Sequence, residues 1–364
     1  MRLLIINCGS SSLKFELREL GGREPLAGDT IRGVEDHGKA VEEVIGRLRE
    51  RVEAVSHRVV HGGTRFVEPV LIDDGSLEEL RRLAELAPLH NRRAVAAIEA
   101  CRRLLGPDVP MVASFDTAFH SGMPAPASSY ALPRELAERH AIRRFGFHGL
   151  AHRFMADRHA ELCGDRRRLI TLQLGAGCSA AAISGGRSLD TSMGLTPLEG
   201  LVMATRSGDV DPALPAFLEE HEGIGPNEAE RILNEESGLL GVSGRSGDMR
   251  QLLEAGDERA ELAIELFCYR ARKYVGAYLA VLGGTEALVF GGGVGENSPP
   301  IRTRICAGMG WCGLELDEDR NSAAVGEEAR IDAGGGVEAW VIPVDEAQVM
   351  ARDAEALLTG KEER

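Results

Sequence analysis

The chain is predicted to be an α/β protein of two domains, from its alternating segments, its length and a weak internal repeat. Apolar strand-like segments alternate with helical periods along its 364 residues, the pattern of sheets covered by helices. That length suits two domains of ordinary size better than one core. Residues 169–183 repeat the strand, small-residue turn and strand of residues 3–17. The repeat indicates either two related halves or a chance glycine-rich hairpin.

The positions of individual strands and helices are predicted from short local patterns. Apolar runs bounded by turn residues predict strands at 3–6, 13–17, 54–60, 111–115, 169–174, 180–184, 287–290 and 339–342. An apolar stripe at 41–48 predicts one helix, and a capping box that begins at Ser76 predicts another through residue 87. The longest helical period covers 258–282, and Gly283 is expected to end it.

The charge and cysteine content exclude several classes of partner. Lys and Arg total 42 against 57 Asp and Glu, a net charge of −15, which disfavours a nucleic-acid partner. No apolar run approaches the length of a membrane span, so no membrane partner is expected. The seven cysteines are scattered without metal-ligand spacing, which indicates reduced thiols and a cytoplasmic protein. Because the net charge is negative, an anionic substrate must be bound where positively charged side chains are concentrated locally.

The first turn of the chain carries residue types that hold phosphate. Asn7, Gly9, the serines from Ser10 to Ser12, and Lys14 lie within eight residues, where backbone N–H groups and an ammonium can hold phosphate oxygens. An ordinary hairpin with a serine-rich turn is the alternative interpretation.

Four further side chains are candidates for chemistry. Arg58 lies in a β-branched strand that ends in glycines, and Arg206 lies between an apolar segment and an acidic loop. Each arginine either receives an anion or forms an ion pair, with the loop at 209–211 supplying the acid for Arg206. Asp116 ends a strand, where it either orients reactants and metal or forms a turn. His148 lies between glycines that allow a ligand close approach.

Together these residues are of the types that phosphoryl transfer uses, because that reaction depends on positioning and charge stabilisation. Glycines at 291–295 follow a strand and open a helix, so a nucleotide can pack against them. The chain has neither the Walker A string nor the His-Arg-Asp set of protein kinases. Neither of those familiar kinase folds applies.

Seven longer strings are more specific. They are Asn-x-Gly-Ser-Ser-Ser-Leu-Lys-Phe at 7–15, His-Arg-Val-Val-His-Gly-Gly at 57–63, Pro-Leu-His-Asn at 88–91, Phe-Asp-Thr-Ala-Phe-His at 115–120, Asp-Thr-Ser-Met-Gly-Leu-Thr-Pro-Leu-Glu-Gly at 190–200, Thr-Arg-Ser-Gly-Asp at 205–209 and Gly-Val-Gly-Glu-Asn at 293–297. In this order they resemble the acetate kinases, with the propionate and butyrate kinases, of the actin-like, sugar-kinase-like ATPase superfamily. The resemblance spans nearly the whole chain.

The resemblance implies a fold and a reaction. The fold would be two ribonuclease H-like domains with a cleft between them, the first from residues 1–150 and 347–364 and the second from 151–346. The reaction would be reversible, direct in-line transfer of the γ-phosphoryl group of ATP to a short-chain carboxylate, with acetate favoured, giving an acyl phosphate and ADP. It implies ATP or ADP as co-substrate, Mg²⁺ or Mn²⁺ as cofactor, domain closure and a homodimer.

The resemblance also implies roles for individual residues. The catalytic residues would be Arg58, Asp116, His148 and Arg206. The nucleotide and its phosphates would be bound by Asn7, Ser10, Ser12, Lys14, Gln173, Gly175, Gly177, Asp248, Arg250, Gly292, Gly293 and Asn297. The acyl pocket would be lined by Val60, Leu89, His90, Phe147 and Pro197. The metal would be held by Asn7 and Glu346, with Asp116 positioning it and the reactants.

The second hairpin departs from the family pattern His-Leu-Gly-Asn-Gly, because this chain has Gln173-Leu174-Gly175-Ala176-Gly177. Each hydrogen bond lost to a charged phosphate costs about 1.5–3 kcal/mol. The alternatives are a different short acid as acceptor, a phosphoryl donor other than ATP, or a catalytically weak regulatory paralogue.

A nicotinamide-dependent oxidoreductase is the alternative from another enzyme class. Residues 175–180 fit the string G-x-G-x-x-A of dinucleotide-binding proteins. That fingerprint requires a helix after the glycines, whereas the turn residues at 184–186 predict a hairpin. The hairpin is therefore the favoured interpretation.

Overall fold

The computed structural model describes residues 1–9, 11–22, 24–86 and 91–360. The chain forms two compact units. The first contains Met1–Ser121, Phe147–Leu150 and Asp345–Arg364, and the second contains Gly122–Gly146 and Ala151–Val344.

These units divide the chain differently from the predicted boundaries at two places. Segment 122–146 groups with the second unit, because it is hydrogen-bonded there, as by the Phe145 N–H to the Gly194 carbonyl at 3.0 Å. Glu346 groups with the first unit, where the Asn7 amide donates to its carboxylate at 2.8 Å. Both differences arise from contacts between residues far apart in sequence.

The first unit is built on a six-stranded mixed sheet. Its strands are β1 (Arg2–Cys8), β2 (Ser12–Glu19), β3 (Pro25–Arg32), β4 (Ala54–Val59), β5 (Val70–Leu71) and β6 (Met111–Phe115). They lie in the order β3-β2-β1-β4-β6-β5. Strands β1, β4 and β6 are parallel, and the remaining neighbours are antiparallel.

The second unit repeats this sheet. Its strands are β7 (Leu169–Leu174), β8 (Cys178–Ser184), β9 (Arg187–Thr191), β10 (Ala287–Gly291), β11 (Ala329–Arg330) and β12 (Glu338–Val341). Their order is β9-β8-β7-β10-β12-β11, with β7, β10 and β12 parallel. Taken in chain order, each strand has the place of its counterpart in the first sheet. The predicted two-domain α/β fold with related halves is confirmed.

Helices cover both sheets. They are α1 (His37–Arg47), α2 (Asp74–Leu86), α3 (Asn91–Leu105), α4 (Ala125–Ser128), α5 (Arg134–His140), α6 (Gly149–Cys163), α7 (Leu214–Glu222), α8 (Pro226–Glu235), α9 (Gly238–Ser243), α10 (Met249–Ala255), α11 (Glu258–Leu282), α12 (Gly292–Asn297), α13 (Pro299–Cys306), α14 (Glu318–Ala323) and α15 (Glu346–Thr359). Among the described residues, none of these helices combines the length and apolarity that crossing a membrane requires.

The first sheet is covered on both faces. Val55 and Val59 of β4 belong to a buried core with residues of α1 and α3. The Ser56 hydroxyl, which points to the opposite face by strand alternation, donates to the Met350 carbonyl of α15 at 3.3 Å. This burial on both faces explains why most residues of the parallel strands are apolar.

Local patterns located most elements and missed the sheet edges. The eight predicted strands all form, and α11 has the predicted bounds with Gly283 left-handed at φ 64°. The short or exposed strands β3, β5, β9 and β11 were not predicted, because they lack a buried apolar alternation.

The capping box of α2 is shifted from its predicted position. Asp73, and not Ser76, caps the helix, because its carboxylate accepts from the Ser76 N–H at 2.7 Å. Residue 87, the predicted end of this helix, lies outside the described residues.

His57 is a buried titratable residue of the first sheet. It shares a face of β4 with Val55 and Val59. Its side chain is buried, and neither ring nitrogen has a hydrogen-bond partner in the described part of the chain. Burial lowers the pKa of His57 from 6.5 to about 3. The folded state therefore resists the proton that the unfolded state accepts near pH 6.5.

Replacing His57 with leucine is expected to make the protein less sensitive to acid. The histidine's contribution to stability is complete above pH 6.5 and is lost as the pH falls toward 3, by about 1.4 kcal/mol per pH unit. The measurement is urea unfolding of wild type and His57→Leu at pH 7.5 and pH 5. Between these pH values, the free energy of unfolding of wild type should fall by about 2 kcal/mol more than that of His57→Leu.

The matched control is His140→Leu, at an exposed histidine of α5. A His57→Leu difference that does not change with pH would contradict the role assigned to His57.

Candidate active site

Three polar side chains meet at the carboxyl ends of the parallel strands in the first unit. The register of β1 and β4 aligns Ile6 with His57, so Asn7 follows beside Arg58. Asp116 follows directly after β6. Parallel sheets bind ligands at this edge.

Arg58 is held by a buried ion pair. Its Nε and Nη2 donate to the two carboxylate oxygens of Asp116 at 2.9 and 2.5 Å, and its Nη1 donates to the Asn7 Oδ1 at 3.0 Å. Asp116 is completely buried. Burial opposes the charge on Arg58, but the negative charges of Asp116 and Glu346 outweigh it and raise the pKa of the guanidinium. Of the two interpretations of Arg58, the structure shows the ion pair.

Glu346 completes a cluster that suits a divalent cation. Its Oε2 accepts from the Asn7 amide at 2.8 Å and lies 4.0 Å from the Arg58 Nε. Two carboxylates, of Asp116 and Glu346, thus share one guanidinium. Burial raises the pKa of Glu346, with Arg58 opposing and Asp116 adding to the rise. A shortage of positive charge beside carboxylate and amide oxygens fits a hard cation such as Mg²⁺.

The turn that carries His148 is fastened to Asp116. The Gly149 N–H donates to the Asp116 carbonyl at 3.0 Å, and a Cβ at Gly149 would lie 2.0 Å from that oxygen. The ring of His120 binds the Phe147 carbonyl at 3.1 Å. His148 itself has φ 57°, a strained backbone for a residue other than glycine. Such strain persists only where the surrounding contacts impose it.

Two predicted pocket residues lie near this turn. Val60 follows β4 and is half-buried, and Phe147 is buried with its ring edge-on to His61 at 5.6 Å between centroids. Asn91, at the start of α3, binds both the N–H and the carbonyl of His61, at 3.0 and 2.8 Å. Three predicted residues lie outside the described residues: Ser10, Leu89 and His90.

The first hairpin has the predicted strand-turn-strand form. Its turn is closed by the Gly9 N–H to the Ser12 carbonyl at 2.8 Å. Lys14 is half-exposed and lies 3.1 Å from the Glu16 carboxylate. The Lys14 ammonium is thus at the surface, where it can also contact a phosphate.

The second hairpin joins β7 to β8 through residues 175–177. The Gly175 N–H donates to the Gly177 carbonyl at 3.1 Å, and the Ala176 carbonyl accepts from the Ala204 N–H at 3.0 Å. A strand follows the glycines where the dinucleotide fingerprint needs a helix. The oxidoreductase interpretation is therefore wrong.

Gln173 lies beside the glycine-rich start of α12. It pairs with Gly291 across β7 and β10, and its Oε1 is buried with no hydrogen-bond partner in the described ranges. Gly292 has φ 76°, and a Cβ there would lie 2.6 Å from the Leu174 carbonyl oxygen. Close approach of backbone to β7 thus requires glycine at 292.

The remaining predicted nucleotide residues make local contacts. Asn297 donates to the Gly293 carbonyl at 3.0 Å, and a Cβ at Gly293 would meet open space. Asp248 caps α10, and its carboxylate binds the Arg250 guanidinium at 3.1 Å at the protein surface. Among the described residues, neither of these two side chains forms a hydrogen bond or an ion pair with the glycines at 291–295.

Arg302 is a buried residue that the sequence did not single out. Its guanidinium donates to the carbonyls of Gly295 and Glu296 at 2.8 and 3.1 Å and to the Asn321 side chain at 2.7 Å. It thereby satisfies carbonyls in the last turn of α12. An arginine on a short helix gives no local signal of burial.

Arg206 is a largely buried cation without a carboxylate contact among the described residues. Its Nη1 donates to the Pro197 carbonyl at 3.2 Å and lies 3.6 Å from the Met203 sulfur. The suggested pairing with 209–211 is wrong, because the Asp209 carboxylate instead binds the Gly200 N–H at 2.8 Å and the Tyr274 hydroxyl at 2.9 Å. Burial lowers the pKa of Arg206. Such a group suits an incoming anion.

The loop that carries Pro197 is held by a polar clamp. Arg144 donates to the carbonyls of residues 191–193 at 3.1–3.2 Å and to the Glu199 carboxylate at 2.5 Å. Tyr130 donates to the same carboxylate and accepts from the Leu195 N–H at 2.9 Å. The clamp fixes the carbonyl that orients Arg206.

Comparisons with known proteins agree over the whole chain. The model of the acetokinase family matches residues 27–352. The chain is 44% identical to the acetate kinase of Chloroherpeton thalassium, with 100% of both chains covered. It is 44% identical to the acetate kinase of Solibacter usitatus, with 99% of each covered.

Two solved structures are also similar. The acetate kinase of Porphyromonas gingivalis superimposes with a TM-score of 0.91 at 38% identity, covering 98% of this chain and 99% of that one. A propionate kinase from Francisella tularensis gives 0.90 at 36% identity, with 98% and 99% covered. With these matches to its sequence and fold, the chain belongs to the acetokinase family.

Proposed function

We propose that this chain is an acetate kinase that transfers the γ-phosphoryl group of ATP reversibly to acetate, giving acetyl phosphate and ADP. The observation that carries the proposal is Arg206, a partly buried guanidinium with no carboxylate contact among the described residues, in a chain of the acetokinase family. Phosphoryl transfer needs such a charge where the transferred group develops negative charge. We place the reaction in the cytoplasm, where the seven free thiols stay reduced.

The first unit supplies a preorganised cluster. Arg58 is oriented by Asp116 and Asn7 before substrate binds, so its charge needs no reorganisation during transfer. The backbone at His148 is held in place by the hydrogen bond from the neighbouring Gly149 N–H to the Asp116 carbonyl. We assign the His148 ring to donate a hydrogen bond to an equatorial oxygen of the transferred group. Asp116 acts by holding Arg58.

Glu346 and Asn7 are the residues that would hold Mg²⁺, with Asp116 nearby. An ion held there would supply positive charge to neutralise the phosphate groups. The Glu346 Oε2 is oriented by the Asn7 amide at 2.8 Å.

The acyl pocket favours a short acid without excluding its neighbours. Val60 and Phe147 offer apolar contacts, and one methylene group changes selectivity by only about 1–3 kcal/mol. The similarity to a propionate kinase structure makes propionate the second candidate acceptor.

Replacing Arg206 with alanine is expected to reduce acyl phosphate formation about 10³-fold or more, because the charge on the transferred group loses its counter-ion. The measurement is a hydroxamate assay with acetate and Mg²⁺, comparing ATP with pyrophosphate as donor. The control is Arg231→Ala, which removes a surface arginine paired with Glu228 at 2.7 Å in the same unit and should be neutral.

Each outcome of this assay is informative. Activity with ATP that disappears in Arg206→Ala supports the proposal and shows that Gln173 and Ala176 are tolerated. Activity only with pyrophosphate would show that pyrophosphate, and not ATP, is the phosphoryl donor. Inactivity with both donors and with acetate or propionate would favour a regulatory paralogue and overturn the proposal.

Replacing Ala176 with asparagine is expected to lower the KM for ATP about tenfold to a hundredfold. Ala176 is exposed in the second hairpin turn, and an added donor to a charged phosphate is worth about 1.5–3 kcal/mol. The control Gly185→Asn puts the same side chain in the next turn, at φ 58°, which asparagine tolerates. An unchanged KM in Ala176→Asn would exclude phosphate contact at this turn.

We further propose that two copies associate through α11. Leu262, Leu266 and Tyr269 form an exposed apolar stripe on this helix, with Tyr269 62% exposed. They line a groove of about 590 Å³ that also holds Glu265 and Arg304. A patch with apolar residues and both signs of charge can complement itself in a two-fold contact.

Replacing Leu266 with glutamate is expected to convert the dimer into a monomer, because it places a charge in the apolar stripe. Size-exclusion chromatography with light scattering measures the mass of wild type, Leu266→Glu and the control Leu136→Glu, a similarly exposed leucine of α5. A monomeric wild type, or a Leu266→Glu variant that stays dimeric, would rule out this interface.

A further inference from the structure

Three metal-binding side chain types meet in the second unit, away from the residues assigned to phosphoryl transfer. His159 and Cys163 lie one turn apart on α6, and Glu338 begins β12. The His159 Nε2 lies 3.5 Å from the Cys163 sulfur and 3.6 Å from the Glu338 Oε2, and the sulfur lies 3.8 Å from that oxygen. The three atoms form a nearly equilateral triangle.

The size of this triangle matches a tetrahedral metal centre. Zn²⁺ binds nitrogen and oxygen at about 2.0–2.1 Å and sulfur at about 2.3 Å, which puts its ligand atoms roughly 3.3–3.6 Å apart. The nitrogen–oxygen separation of 3.6 Å is too long for a hydrogen bond. Hydrogen bonds of the Cys163 sulfur account for two sides of the triangle, to the His159 ring and to the Glu338 carboxylate, but not for the side between nitrogen and oxygen.

The ring of His159 is enclosed by the protein. Its side chain is completely buried, and its Nδ1 has no hydrogen-bond partner in the described part of the chain. Among the described residues, its Nε2 lies 3.5 Å from the Cys163 sulfur and 3.6 Å from the Glu338 Oε2. The complete burial of the ring thus holds this nitrogen in place beside the other two ligand atoms.

The surroundings orient Glu338 toward the triangle. Arg167 and Arg330 each bind its Oε1 at 3.2 Å, and the Trp340 indole donates to its Oε2 at 2.9 Å. Each guanidinium also has its own acid at 2.6–2.7 Å, Asp165 for Arg167 and Asp332 for Arg330. Their repulsion of a bound cation is thus reduced.

We propose that His159, Cys163 and Glu338 form a Zn²⁺ site, with solvent as the fourth ligand. Thiolate, imidazole and carboxylate together favour zinc over Mg²⁺ or Ca²⁺. Cys163 and Glu338 are only partly buried, so an ion and a water can enter. On binding, the Cys163 sulfur gains the metal bond and releases its proton to solvent. The ion would tie the last turn of α6 to β12.

The test titrates the full, metal-stripped chain with Co²⁺, a spectroscopic substitute for zinc. We expect a near-ultraviolet thiolate-to-cobalt band that saturates at one Co²⁺ per chain and disappears on adding Zn²⁺. Cys163→Ser should abolish the band. Cys312→Ser should keep it, because Cys312 is the other partly buried cysteine and its sulfur donates to the Met309 carbonyl, away from His159 and Glu338.

A second readout distinguishes the loss of metal binding from the loss of folding. In a Trp311→Phe background, Trp340 is the remaining tryptophan, and its fluorescence should be quenched by one equivalent of Co²⁺. Glu338→Gln, which keeps the side-chain shape, should weaken Co²⁺ binding at least tenfold. Absence of the band in wild type, or a band that survives in Cys163→Ser, overturns the proposal.

Discussion

The buried ion pair between Arg58 and Asp116 is the interaction on which the first unit's candidate site depends. The guanidinium binds both carboxylate oxygens and, with its remaining arm, Asn7, which in turn orients Glu346. The backbone of Asp116 receives Gly149 and so places the His148 turn. Removing one member of such a buried pair costs about 3–5 kcal/mol. Stability and site geometry are therefore coupled through one side-chain pair.

The two arginines that we propose as catalytic differ in electrostatic state. Arg58 has Asp116 and Glu346 beside it, which raises the pKa of its guanidinium, whereas burial lowers the pKa of Arg206, which has no carboxylate contact within the described ranges. A buried cation is stabilised when an anion arrives. Arg58 is thus suited to positioning, and Arg206 to receiving developing charge.

The same strand order serves two purposes in the two units. In the first unit, Asn7 at the end of β1 lies beside Arg58, and in the second, Gln173 at the end of β7 lies beside Gly291. Charged side chains therefore fill the first strand edge, whereas the second edge carries the glycines that begin α12. A duplicated fold can thus present different chemistry at equivalent places.

Strong local patterns in the sequence were enough to predict many of the strands and helices. The eight apolar strands, α11 with its closing glycine, and both hairpins follow from periodicity and turn chemistry, and the motifs pointed to Arg58, Asp116 and Arg206. Only the tertiary structure decided the partners. Glu346 reaches Asn7 across 339 residues, and Glu338 reaches Cys163 across 175. Local patterns carry no record of such pairings, because the contacts exist only once the sheets have formed.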